Sequence, residues 1–169
     1  MRDKPGFWRR IVVAAAVAAA LMAFPQSVRA AESRFVDVFY VEFDREGEAF
    51  FASEQFEVCG GLDGDILLWV RFANLLENAN KGKVPCVTAG TRLLDVRLED
   101  GTLYVNASRE LLGYGGGAGN ERLLLGQLVR NAQAVAGAFR LTLLVEGAAP
   151  VMPEGSLAAN ITLAEWRLY

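Results

Sequence analysis

Few side chains in this sequence could do chemistry, and their spacing excludes most of it. The 169 residues include no histidine, which removes imidazole-activated Ser and Cys nucleophiles and imidazole metal sites. The two cysteines, Cys59 and Cys86, are too few for a four-thiolate zinc site and too far apart for a redox C-x-x-C pair. Gly113-Tyr114-Gly115-Gly116-Gly117-Ala118 fits the G-x-G-x-x-G/A phosphate pattern. That pattern also needs a strand running into the glycines and an acid about 20 residues later. Residues 108–112 intervene and no acid stands near 138, so a flexible loop ahead of a helix is expected instead. Asp63-Gly64-Asp65 opens like a calcium loop, but Ile66 to Val70 replace the later oxygen ligands, which leaves helix capping as its role. Glu42, Asp44, Glu46 and Glu48 crowd one turn without a spacing that selects an acid–base pair. No catalytic residue, cofactor or metal is assigned.

The first 30 residues read as an address. Arg9 and Arg10 precede an apolar run over 11–24, Pro25 breaks it, and Val28-Arg29-Ala30 supplies small residues before Ala31. This is the layout of a secretory signal with cleavage between Ala30 and Ala31, and the run is short for a spanning helix of about 20 residues. The protein is therefore expected outside the cytoplasm, secreted or in the envelope, after cleavage of the leader, with membrane attachment only where the leader stays uncleaved. Overall there are 17 basic against 20 acidic residues; removing the leader's five basic and one acidic residue leaves 12 against 19, a net charge of −7. So acidic a domain has no electrostatic footprint for nucleic acid. In an oxidising compartment an even cysteine count predicts a structural Cys59–Cys86 bridge, which would stabilise the fold by roughly 3–4 kcal/mol in the chain-entropy model. Two buried free thiols are the alternative.

Residues 31–169 are long enough for one domain. Residues 35–44 and 48–58 are rich in Val and aromatics and flank an Arg45-Glu46-Gly47 turn, which suits two strands. Leu94, Val96 and Leu98 alternate with polar residues up to Asp100-Gly101, and Leu103, Val105 and Ala107 resume beyond it, the pattern of a tight hairpin. Phe139, Leu141, Leu143 and Val145 give a fifth strand. Asn120 can cap a helix over 121–136 with a single apolar face. An earlier helix, capped by Asp63 or Asp65 and running to about 78, carries two apolar stripes. Ile66, Trp69, Val70, Ala73 and Leu76 form the expected core stripe. Leu68, Phe72, Leu75 and Ala79 form a second, which is either buried as well or offered to a partner. Leu68, Phe72 and Leu75 are the candidate partner patch. The order ββαββαβ predicts an α+β fold: a mainly antiparallel five-stranded sheet with two helices on one face, followed by an irregular tail over 148–169.

From Val84 onward the chain resembles the GerMN domain family, a bacterial module of sporulation and spore-germination proteins. The resemblance rests on Pro85, Ala89-Gly90-Thr91, Leu93-Leu94-Asp95-Val96, the hairpin from Glu99 to Asn106, the glycine loop, and Leu143-Leu144-Val145-Glu146-Gly147. The hairpin over 40–47 and the helix over 62–79 also fall where the family has them, so the likeness spans about 35–147. It departs from the family in Cys86-Val87-Thr88 before the turn, in the missing Gly-His segment, and in a tail carrying Pro153-Glu154-Gly155. It implies a domain similar to ring-building envelope modules, engaged with envelope proteins or with copies of itself, and no catalytic residues. A second reading is a binder of cell-wall glycan or another small envelope ligand, with weak hydrolysis, motivated by Trp69, Tyr114, Trp166 and Tyr169.

Overall fold

The computed structural model describes residues 33–77 and 86–167; the leader and its Ala30–Ala31 junction lie outside them. Strand β1 (Arg34–Phe43) runs antiparallel to β2 (Ala49–Val58), with Val38 opposite Glu54 and Tyr40 opposite Ala52. The turn between them is closed by Asp44, whose carboxylate accepts the N–H groups of Glu46 and Glu48 at 3.0 and 2.8 Å. That is the Asx-turn chemistry that makes aspartate common at such sites. Helix α1 (Gly64–Glu77) follows, and Asp63 caps it by accepting the Ile66 N–H at 3.1 Å.

Strands β3 (Leu93–Glu99) and β4 (Thr102–Ala107) form the expected hairpin. Asp100 and Gly101 take φ of 49° and 75° at its tip, as a two-residue turn with both φ positive requires. Gly101 is doubly constrained, because a Cβ there would stand 2.6 Å from the Phe139 ring. A 3₁₀ turn (Arg109–Gly113) and helix α2 (Gly117–Gln133) carry the chain to β5 (Arg140–Val145), which pairs parallel to β4. A parallel neighbour needs a long crossover, and α2 supplies it.

The sheet expectation is corrected in two respects. Among the described residues the strands form two sheets, a β1–β2 ribbon and a four-stranded sheet ordered β3-β4-β5-β6, where β6 is the short strand Ile161–Thr162, rather than a single sheet of five. The helices do not simply lie on one face of one sheet: α1 packs on both β1 and β3, and α2 on both β1 and β5. The core between these elements is mostly aliphatic around the Phe72 ring, with Leu75 and Leu76 of α1, Leu124 and Leu128 of α2, and Leu103, Leu141 and Leu143 of the sheet.

The described part of the tail is largely irregular, as expected, but it is tied to the sheet. Glu146 and Gly147 have φ of 51° and 83°, and Val145 and Ala148 exchange backbone hydrogen bonds at 2.8 and 3.1 Å. The chain thus reverses through a second acid–glycine turn and returns along β5. Ala158 O accepts the Leu143 N–H at 2.7 Å, and β6 (Ile161–Thr162) pairs antiparallel with β5. Met152, Ala158 and Leu163 are buried on the way.

Candidate functional site

The described residues of both apolar stripes of α1 contribute to the core, Leu76 of the expected core stripe at 1% exposure, but the second stripe lies further inward than the first. Leu68, Phe72 and Leu75, the candidate partner patch, are buried, at 8%, 0% and 0% exposure. They face β1, whose Val36, Val38 and Tyr40 alternate inward, so they are core and cannot bind a partner without unfolding. The stripe expected to be core contains the exposed residues instead: Ile66 and Trp69 are 43% and 44% exposed, with Val70 and Ala73 half-buried beside them. A helix with apolar residues on both sides has no sequence signal for which side turns inward; the pattern of β1 decides it. At its far end α1 is tied to the sheet, where Glu77 accepts the Leu93 N–H at 3.1 Å.

The other flank of α1 borders a cleft of about 430 Å³, walled by Phe35 and Val36 of β1, Leu98 of β3 and Ala134, Val135 and Ala136 after α2. Leu67, Leu68 and Arg71 are its contribution from the helix body. Burial lowers the Arg71 pKa and the Asp37 charge counters that shift.

The expected Cys59–Cys86 bridge is absent, a second correction. Cys59 leaves β2 on the exposed side, whereas Cys86 sits within the core at 0% exposure. Burial pushes the Cys86 thiol up to about 11, against a smaller opposing effect of a backbone hydrogen bond. It is a buried, protonated thiol that packs as a small apolar side chain.

The glycine loop serves backbone geometry. Gly115, Gly116 and Gly117 all have positive φ, and a Cβ on Gly116 would collide with the Asn120 side chain. Asn120 donates to Gly115 O at 3.1 Å instead of capping, and α2 starts earlier than expected, at Gly117. Tyr114 is buried and Trp166 half-buried, with Arg122 stacked 5.9 Å from its ring, so only Trp69 of these three offers a large exposed aromatic surface; Tyr169 lies outside the described residues. Among the described residues no cluster of three or more Cys, Asp or Glu side chains could hold a metal. No described helix is long and apolar enough to cross a membrane.

Sequence reasoning missed three polar side chains, all on α2 and all buried: Glu121, Gln127 and Asn131. Asn131 accepts the Phe39 N–H at 3.0 Å and donates to Phe39 O at 2.7 Å, while Gln127 accepts the Val41 N–H at 2.7 Å. These amides satisfy the edge of β1 that β2 leaves unpaired, which keeps the ribbon out of the larger sheet. Glu121 receives the Tyr114 hydroxyl and the N–H groups of Glu154 and Ser156, the latter two at 2.8 and 2.9 Å. Burial alone would raise its pKa. The hydrogen bonds from Ser156, Tyr114 and Glu154 outweigh that and hold the carboxyl below the usual range. Polar residues at positions 121, 127 and 131, along the side of a helix that also carries Leu124 and Leu128, were the available signal.

The arrangement defines an α+β domain in which two helices join a β-ribbon to a mixed sheet. The chain belongs to the Germane family, described as sporulation and spore germination, which it matches over residues 63–150. Its fold is similar to the first GerMN domain of the sporulation protein GerM from Bacillus subtilis, at 13% identity and a TM-score of 0.57, covering 78% of this chain and 99% of that one. It is similar to the tandem GerMN domains of the same protein at 10% identity and a TM-score of 0.57. There it covers 78% of this chain and 45% of the other, so the chain spans less than half of the tandem arrangement. No curated protein matches it.

Proposed function

We propose that the protein is an exported, non-enzymatic interaction module of the bacterial envelope that engages another envelope protein, or a second copy of itself, through the outward stripe of α1. The observation that carries this reading is the pair Ile66 and Trp69, each more than two-fifths exposed on a helix whose opposite side fills the core. Large apolar side chains presented together on one helix are suited to a partner's groove, and Trp is enriched among residues that dominate binding energy. Two further features support export: the secretory pattern of residues 1–30, and a folded unit that begins at Ser33, just beyond the expected junction. Membership of a sporulation and germination family supports a role in those processes.

A photo-crosslinking residue in place of Trp69 tests the reading in cells. It should yield one discrete crosslinked species from the envelope fraction, lost when Ile66→Asp is added. The same crosslinker in place of Glu46, in the exposed β1–β2 turn, should yield none. Equal labelling from both positions would refute the α1 surface.

A further inference from the structure

We propose that two copies of the chain join edge to edge along β2, antiparallel about a two-fold axis at Ser53, into one continuous four-stranded ribbon. The direction of the free backbone groups of β2 follows from β1. The Phe39 N–H and C=O both bond to Asn131 and the Val41 N–H bonds to Gln127, so these residues point their backbone groups away from β2. In an antiparallel pair such residues stand opposite partners that also point away, and those partners are Ser53 and Phe51. By the alternation of the strand, Ala49, Phe51, Ser53, Gln55 and Glu57 direct their N–H and C=O groups out of the ribbon.

Every other sheet edge among the described residues carries a feature that discourages pairing with another chain. The β1 edge is taken by the amides of α2 and the β5 edge by the returning tail. Strand β3 has a register shift between Leu93 and Asp95, and Arg97 pairs with Asp95 and Glu99 at 2.6 and 2.9 Å. Strand β6 is only two residues long. Strand β2 has none of these: its ten residues keep unbroken register with β1, include no proline or lysine, and are nowhere buried. A second copy fits this edge because the strand is complementary to itself. Pairing about Ser53 sets Ser53 against Ser53, Phe51 against Gln55 and Ala49 against Glu57, so every outward backbone group finds a partner. Between them Phe50, 44% exposed, meets Phe56 of the other copy and Glu54 meets Ala52. Aromatic rings thus face each other across the seam, and no glutamate stands directly opposite another. An axis at Phe51 would set Glu48 against Glu54. The turn that carries Glu46 lies beyond the paired residues, and Ile66 and Trp69 take no part, so this contact stands or falls independently of the α1 surface.

Sedimentation equilibrium of the purified full chain, with a thiol reductant present so that Cys59 cannot link copies, tests the proposal. The mass should approach twice that of the monomer as concentration rises and return to one on dilution. Over the same range hydrogen exchange should slow at the Phe51, Ser53 and Gln55 amides and stay constant at Ala52 and Glu54, whose N–H groups face β1. Ser53→Pro should leave a monomer, since the N–H it removes is not used within the ribbon and proline is tolerated on such an edge. Phe50→Lys, which stands opposite Glu42 in the folded ribbon, should weaken association about tenfold by removing two symmetric aromatic pairs, and it tests the seam even if Ser53→Pro folds poorly. Ile66→Asp should leave the dimer intact. A monomer at every concentration, whether or not a strand of another protein takes the edge, would overturn the proposal. So would a dimer that survives Ser53→Pro and Phe50→Lys, or exchange at Ser53 that ignores concentration.

Discussion

The two helices use opposite means to hold the same fold together. Helix α1 relies on aliphatic and aromatic contact: Leu68, Phe72, Leu75 and Leu76 enter the core, and apolar residues are left over on its outer side. Helix α2 buries Leu124 and Leu128 but also Glu121, Gln127 and Asn131, and each of the three has its own backbone partners. Apolar contact is non-directional, so α1 can spare one face. Hydrogen bonds to strand and tail backbones are directional, so α2 fixes which segments lie where and has no freedom to present a surface. The difference gives α2 the positioning of the other segments and leaves α1 the face on which the proposed interaction rests.

Phe72→Asp is the strongest test of that division, because it places a charge in a site of 0% exposure. The loss should exceed about 4 kcal/mol, seen as a chain unfolded or nearly so in urea titration. A folded Phe72→Asp variant with unchanged stability would mean that this stripe is surface after all.

Asn131→Ala is next. It strips both partners from Phe39 and should cost about 2–3 kcal/mol, with faster hydrogen exchange at the Phe39 amide in particular. An unchanged exchange rate would deny α2 its hold on the ribbon.

The Glu121 contribution should appear as a pH dependence. Its pKa is lowered on folding, so the stabilisation is complete above the unfolded value of about 4.3 and is lost as pH falls through the folded value. Denaturation from pH 7 down to 3 should show a decline below about 4.3 that Glu121→Gln flattens, at the expense of stability near neutrality. Parallel pH profiles for the two chains would remove Glu121 from this role.

The smallest effect belongs to the outer face of α1. Ile66→Asp, made in the chain that carries the crosslinker in place of Trp69, should change stability by less than about 1 kcal/mol while abolishing the crosslinked species. A large fall in melting temperature would show that the outer stripe packs on the fold rather than on a partner.

How far the sequence foretold these roles depends on whether the signal was local. Asp100-Gly101 specified its hairpin because both positive φ values are set by the two residues themselves. Glu146-Gly147 uses the same acid–glycine chemistry, with both φ values positive, and is as local a signal. Leu94 was not readable: the register shifts between Leu93 and Asp95, so Leu93 turns inward and Leu94 outward, against the simple alternation. The inward face of α1 was hidden as well, since both stripes are apolar and only β1 distinguishes them. The division into two sheets depends on Gln127 and Asn131 meeting residues more than 80 positions away, which no local pattern records.

The return of the tail along β5 bears on how the protein is made. Synthesis proceeds from the N-terminus, so β5 emerges with its outer edge bare. Ala158 and β6, which cover that edge, come later. Until they arrive the nascent chain carries an unpaired strand rich in Leu and Val, the kind of edge that recruits other chains. A chain cut at residue 150, where the family match ends, would keep that exposure permanently and lose the buried Met152, Ala158 and Leu163. The segment after residue 150 thus protects β5 against pairing with other chains, and does so only once it has itself been made.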